Sequence, residues 1–475
     1  MSIVRSSKYR HVFGEAPKTD KCYTSVKINK GPWEGNMSSV NSKFLAVSME
    51  GQGGGSFIVI CLDKPGRVDL NHPKICGHKG PVLDVQWNPF DDNEIASGSE
   101  DCNIKIWTIP DGGISANLEA GDCKAELKGH GKKVNRLAWH PAAANVLASS
   151  GFDHVIKVWN TESATELLTL GGFPDKIYSF SWSYNGKYMA TSYKEGGAKL
   201  RIWNVREQSV MQESVTHPGT KPSHCVFLGT TNQVLTTGYS KSSERQYSLW
   251  DAGDLEKGPV ASEKIDSSSG VLMPFWDEGT RMFYLIGKGD TNIRYFEVTD
   301  QKPYAFFLSQ MLGNIPQRGA CVMPQHNLDY LRCEVMRFYR LQHTKGVVEP
   351  MPMIVPRKSE MLQDDIFKTC YAPKPALSAD EWISGVDKDP VLYEYTRDGL
   401  VELPPAKCQV STDIRFKSKE APKEKAQPEV LKRFGSPEPS SNLVLVTLDD
   451  YKRAFKSLQT ENEKLKEELA TLKAR

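Results

Sequence analysis

Few of the features that commit a chain to a membrane, a metal or a nucleotide occur in these 475 residues. No apolar run reaches 18 residues, which excludes a helix-length membrane span. The opening MSIVRSSKYR lacks the apolar core of a secretory signal. Charge of one sign is missing too. The formal net charge is +2, so no global field points to nucleic acid. Ten cysteines include no CxxC pair, and Cys and His are scattered without zinc spacing. With no signal sequence, they read as thiols of a reducing compartment. The glycines of Gly51–Gly55 lack the GxxxxGK[ST] arrangement of a phosphate loop and read as a tight turn. No paired carboxylates, nucleophile–base pair or metal set converges in the sequence. No enzyme, catalytic residue, cofactor or metal is therefore expected.

What is present is a repeat. Gly77-His78 is followed 23 residues later by Asp101 and six further on by Trp107; Gly129-His130 is followed at the same spacings by Asp153 and Trp159. Ser97 and Ser149 stand four residues before each Asp. This Gly-His…Ser…Asp…Trp pattern marks the WD repeat, one four-stranded propeller blade. His, Ser, Asp and Trp can hydrogen-bond in a chain between strands, which keeps buried polar groups satisfied. His78, Ser97, Asp101, Trp107, His130, Ser149, Asp153 and Trp159 therefore read as a structural network, with the histidines as fold elements rather than bases.

Degenerate copies follow. Strand ends near 62, 107, 159, 203, 250, 296 and 339 recur at 43 to 52 residues and argue for seven blades. The expected fold is all-β: a seven-bladed WD40 β-propeller over residues 1–345, latched by a strand at Tyr9-Arg10-His11-Val12-Phe13. Residues 346–402 hold Pro350, Pro352, Pro356, Pro373 and Pro375, which rule out a long helix, but are too apolar for a free linker. They read as a C-terminal extension packed on the propeller. Residues 403–446 are basic and proline-rich and read as a flexible linker. Residues 447–475 read as an α-helical coiled coil. Leu448, Phe455, Asn462 and Leu469 fall at heptad position a, and Tyr451, Leu458, Leu465 and Leu472 at d. Glu461 and Glu468 precede Lys466 and Lys473 by five residues, which suits a parallel homo-oligomer; Asn462 favours a dimer, while bulky Tyr451 and Phe455 leave a trimer open.

Several stretches resemble the coronin family: VRSSKYRHVFG (4–14), CGHKGPVLDVQWNPF (76–90), IASGSEDCNIKIWTIPDGG (95–113), SERQYSLWD (243–251) and DEWISGVDKDP (380–390). The likeness runs nearly continuously over residues 1–400, and the order of parts matches throughout. The resemblance implies a filamentous-actin-binding cytoskeletal protein of the cytoplasm and actin-rich cell cortex. It implies partners in the actin-related-protein nucleating complex and filament-severing proteins, with no nucleic acid. A basic residue shortly after the family's Cys-Tyr pair maps to Lys27, with Lys30 nearby; the usual arginine is replaced, which keeps charge but loses the bidentate fork. Ser2 resembles a position phosphorylated in some members. Ala454 and Gln459 stand where many coronins carry a trimer-favouring Arg and Glu. The competing expectation from the repeats alone is a WD adaptor that does not bind actin.

Overall fold

The computed structural model describes residues 6–31, 35–50, 55–342, 344–359, 361–404 and 414–417. Ser2 and the heptad residues from Leu448 to Leu472 lie outside them, as do Gly51, Gly53 and Gly54 of the stretch Gly51–Gly55.

Strong β-formers bounded by Gly, Asn and Asp turns build seven blades. The first holds Ser38–Val40, Phe44–Ser48, Gly55–Cys61 and Lys74–His78. Blade 2 holds Val82–Asn88, Asp91–Ser99, Asn103–Thr108 and Ala125–Lys128; blade 3 holds Val134–Trp139, Val146–Gly151, Ile156–Asn160 and Thr165–Leu170. Blades 4, 5 and 6 repeat the four-stranded antiparallel order from Ile177 to His217, His224 to Asp266 and Leu272 to Leu312. First strands of neighbouring blades pack against one another and line the central channel. Inner strands are buried on both sides: Val146–Gly151 and Met282–Gly287 are buried at every position. Strict in–out alternation is therefore absent there, because each sheet is covered by a blade on either side. Only outer strands such as Ala261–Asp266 face water.

The antiparallel order gives the ring two distinct faces. Loops joining first to second and third to fourth strands open on one, here called lower. Loops joining second to third strands, and each blade to the next, open on the other, upper face.

Blade 7 differs from the sequence expectation. Gly319–Val322, Glu334–Gln342 and Val347–Ile354 are its first three strands, so position 339 ends no third strand and the propeller runs to 354 rather than 345. The latch is split. Phe13 and Gly14 pair with Ile354 and Met353, and Tyr23 pairs with Val348. Of the segment Tyr9–Phe13 only Phe13 joins the sheet; Tyr9 and Val12 are core residues. The prolines give the reason. Glu15 N–H donates to Pro352 O at 2.9 Å, so residue 352 faces the latch side, and so does residue 350 two positions away. Neither proline has an N–H to donate there, and an unbroken fourth strand has no ladder to join.

The chain then crosses the lower face. Thr369–Tyr371, Leu392–Thr396 and Gly399–Glu402 form a three-stranded sheet, and Ala379–Ile383 a short helix. Ser378 and Glu381 cap that helix reciprocally: Ser378 Oγ accepts from Glu381 N at 3.2 Å and Ser378 N donates to Glu381 Oε2 at 2.7 Å. Ile366, Phe367, Cys370 and Tyr395 are buried with residues of blades 6 and 7. Trp382, 1 % exposed, sits among His140, Trp182 and Leu377 beneath blades 3 and 4. Arg206 donates to the carbonyls of Trp382 and Val386, each at 3.1 Å, and pairs with Asp387 at 2.5 Å. Inside the segment read as linker, residues 414–417 pack under blades 4 and 5. Phe416 meets Tyr188 at 5.1 Å between ring centres, and Lys417 pairs with Asp254 at 2.6 Å.

Candidate functional site

The two clear repeats close into matching networks. His78 Nδ1 lies 2.9 Å from Asp101 Oδ2, and His78 Nε2 lies 2.8 Å from Ser97 Oγ. Trp107 Nε1 donates to the same Ser97 Oγ at 2.9 Å. A carboxylate only accepts, so Nδ1 carries the proton, Nε2 accepts from the Ser97 hydroxyl, and that oxygen accepts from the indole. His130, Asp153, Ser149 and Trp159 repeat the set at 2.9, 2.8 and 2.8 Å. His78 ends the outer strand of blade 1 and His130 follows that of blade 2 by two residues, while the Ser, Asp and Trp of each set belong to the next blade, so the network staples two blades together. The glycine before the histidine has a steric role: a Cβ on Gly77 would stand 2.4 Å from Trp107 Cη2.

The electrostatics follow. Burial alone would raise the Asp101 carboxyl, but the His78 ring and the Lys79 and Asn103 amides outweigh it and hold the group at about 2. Asp153 is lowered in the same way.

Sequence spacing missed the divergent staples. Between blades 4 and 5, His217 Nε2 and Trp250 Nε1 both meet Thr236 Oγ1 at 2.9 Å, and Gln246 takes the aspartate's place on His217 Nδ1 at 2.8 Å. Between blades 5 and 6, Arg245 replaces the histidine, holding Asp266 at 2.6 Å and Asp290 at 2.7 Å. Asp290 stands six residues before Phe296, the spacing of Asp101 and Trp107, whereas its arginine partner breaks the pattern.

On the upper face, Lys27 and Lys30 lie in the connection from the latch to blade 1. Both are exposed. Lys30 pairs with Glu50 at 3.1 Å, at side-chain exposures of 62 % and 54 %. So open a pair contributes little to stability. Arg318 of blade 7 reaches the Lys30 carbonyl at 3.1 Å and adds a third cation to this sector. The lower face carries the chain's own extension, and the upper face is the side on which these cations are presented.

Among the described residues no three His, Cys, Asp or Glu side chains converge as metal ligands, the nine cysteines are free thiols, and no helix is long and apolar enough to cross a membrane. The fold and its staples define a WD-repeat propeller, a class that presents surfaces on a rigid ring. Family models agree: "WD domain, G-beta repeat" matches residues 71–108, 121–160 and 164–204, and "Type of WD40 repeat" matches 348–390. A domain of unknown function matches 2–67. Coronin-2A of Homo sapiens is 44 % identical over 82 % of this chain and 74 % of its own length. Coronin-2A of Bos taurus is also 44 % identical, over 84 % and 76 %. A coronin-like protein of Saccharomyces cerevisiae is 41 % identical over 81 % of this chain and 59 % of its own. The crystal structure of the WD40 domain of Toxoplasma gondii coronin superposes with a TM-score of 0.75 at 28 % identity, covering 82 % of this chain and 98 % of that one. The chain belongs to the coronin family.

Proposed function

We propose that this protein binds actin filaments through the upper face of its propeller and strengthens that contact by self-association through residues 447–475. Family membership carries the reading, since coronins are filament-binding proteins that act with the nucleating complex and with severing proteins. The placement of Lys27, Lys30 and Arg318 supports it: actin is acidic, and an exposed cationic sector is its electrostatic complement. Lys27 is the stronger candidate, because Glu50 already offsets Lys30. Linking propellers through a coiled coil turns a weak single contact into an effectively intramolecular one. The role is one of binding rather than catalysis, in the cytoplasm at the actin-rich cortex.

Cosedimentation of the full-length chain with filamentous actin tests this. Pelleting is expected, with Lys27→Glu and Lys30→Glu together weakening it. Failure to pellet at low salt would leave the chain a WD adaptor without actin affinity. Pelleting unaffected by the double variant would move the contact elsewhere on the propeller.

A further inference from the structure

Residues 414–417 mark a groove on the lower side of the ring, and its walls come from the blades. Gln212 stands on the outer strand of blade 4, and Tyr188 begins that blade's second strand. Ala252, Gly253, Asp254 and Leu255 follow the third strand of blade 5. Ile414 is 7 % exposed and packs with the cluster that holds Tyr188, Ala252 and Leu255. Arg415 is exposed. Phe416 returns to the groove and lies edge-on to Tyr188, at 71° between ring planes. Burial thus alternates with period two, the pattern of an extended peptide with one side against a surface.

The groove holds the main chain as well as the side chains. Lys417 N–H donates to Gly253 O at 3.2 Å, and Gln212 Nε2 donates to Lys417 O at 3.4 Å. Gly253 lets the two backbones approach: a Cβ there would stand 2.4 Å from Arg415 O. Its φ is not positive, so the blade's own turn does not demand glycine. Outside residues 414–417 that Cβ would next meet Asp251 Oδ1 at 3.4 Å, an ordinary contact. Lys417 Nζ pairs with Asp254 Oδ2 at 2.6 Å, with the lysine side chain 76 % exposed. So open a pair selects the sign of charge more than it adds affinity. Main-chain hydrogen bonds combined with pockets for alternate side chains are the means by which folded domains read short linear segments. A covalent tether supplies an effective concentration on the order of millimolar. A weak contact of few residues therefore stays seated, and a free peptide must bind more tightly to take its place.

We propose that the groove beneath blades 4 and 5 is a recognition site for an extended peptide of the pattern aliphatic, any residue, aromatic, basic, and that Ile414-Arg415-Phe416-Lys417 is its intramolecular ligand. The partner is a protein segment of the same pattern that displaces residues 414–417. Its aliphatic residue takes the place of Ile414 beside Leu255, its aromatic ring that of Phe416 on Tyr188, and its cation that of Lys417 at Asp254. An acidic residue at the last position is disfavoured, because it would face Asp254 with Asp251 close by. The groove lies on the lower side, Lys27 and Lys30 on the upper, and the site does not rest on the actin reading.

Fluorescence anisotropy with a labelled peptide of residues 412–419, TDIRFKSK, tests the site on the full-length chain. Ile414→Ser with Phe416→Ser empties the groove without altering a blade. The peptide should bind that variant saturably and one to one, with an apparent affinity about tenfold or more above that for the wild type, whose own segment competes. Replacing the peptide's phenylalanine by serine should abolish binding, a control that leaves the protein untouched. Adding Gly253→Ala to the emptied chain should abolish it too, because the new methyl takes the space of the peptide carbonyl. Trypsin with mass spectrometry reads the intramolecular ligand. In the otherwise unaltered chain Gly253→Ala should speed cleavage after Arg415 and Lys417 while the circular dichroism stays native. No saturable binding to the emptied chain overturns the recognition site, and so does binding that survives both the serine peptide and Gly253→Ala. Equal cleavage in wild type and Gly253→Ala, or protection that disappears on dilution, overturns the intramolecular ligand.

Discussion

Asp101→Ala isolates one blade staple. In the native fold Asp101 Oδ2 accepts from His78 Nδ1 at 2.9 Å and from Lys79 N at 2.8 Å, and Oδ1 accepts from Asn103 N at 3.1 Å. The His78 side chain is 1 % exposed and Asp101 8 %. Truncation leaves the imidazole N–H buried without an acceptor, a loss of about 1–3 kcal/mol; the Lys79 amide is near water and adds less. The lowered carboxyl leads to the same size by a second route. A group near 4 in the unfolded chain and at about 2 in the fold corresponds to about 2 kcal/mol of native-state stabilisation. In a unit of some 400 residues that lowers the melting temperature by about 1–4 °C. A folded value below the unfolded one means the contribution is complete above pH ~4 and is lost as pH falls through ~2. Urea denaturation at pH 7 and pH 3 is the assay: the gap between wild type and variant should be wide at pH 7 and narrower at pH 3. Asp101→Asn keeps an acceptor for His78 and should fall between them. An unchanged midpoint in a variant with native circular dichroism would refute the staple and leave Asp101 as a recognition residue. A gap equal at both pH values would refute its electrostatic part.

Asp277 works in the opposite direction. Burial pushes its carboxyl up to about 7, so the fold holds a proton that the unfolded chain has already released, and stability should decline as pH rises from about 4 through 7; Asp277→Asn should flatten that slope in melting curves. Trp382→Ala opens a cavity beneath blades 3 and 4 and should cost about 3–5 kcal/mol of extension docking. Limited proteolysis should then cut within 355–404 while the blades persist, and an unchanged digestion pattern would show that Trp382 does not hold the extension. Deleting residues 447–475 should give a folded monomer by light scattering with much weaker filament binding; a truncated chain that stays oligomeric would place self-association in the propeller.

The periodic part of this molecule was legible in its sequence, because His78, Ser97, Asp101 and Trp107 fall in one short window and each repeat closes locally. The strand count and the seven-bladed ring follow from that periodicity, since a blade's partners are its sequence neighbours. The tertiary structure decided what rests on distant contacts. Phe13 meets Ile354 only when the ring closes, and the missing amides of Pro350 and Pro352 then divide the latch into two pieces. His217 carries a staple in which Gln246 stands in for the aspartate, and Arg245 one in which Asp290 keeps its spacing but the histidine is gone, so neither shows the full pattern although both satisfy the same buried positions. Residues 414–417 sit inside a stretch whose composition marks a linker, since two apolar side chains among charges set no period. Only the folded ring supplies the groove in which Ile414 and Phe416 meet Leu255 and Tyr188, because its walls come from two different blades.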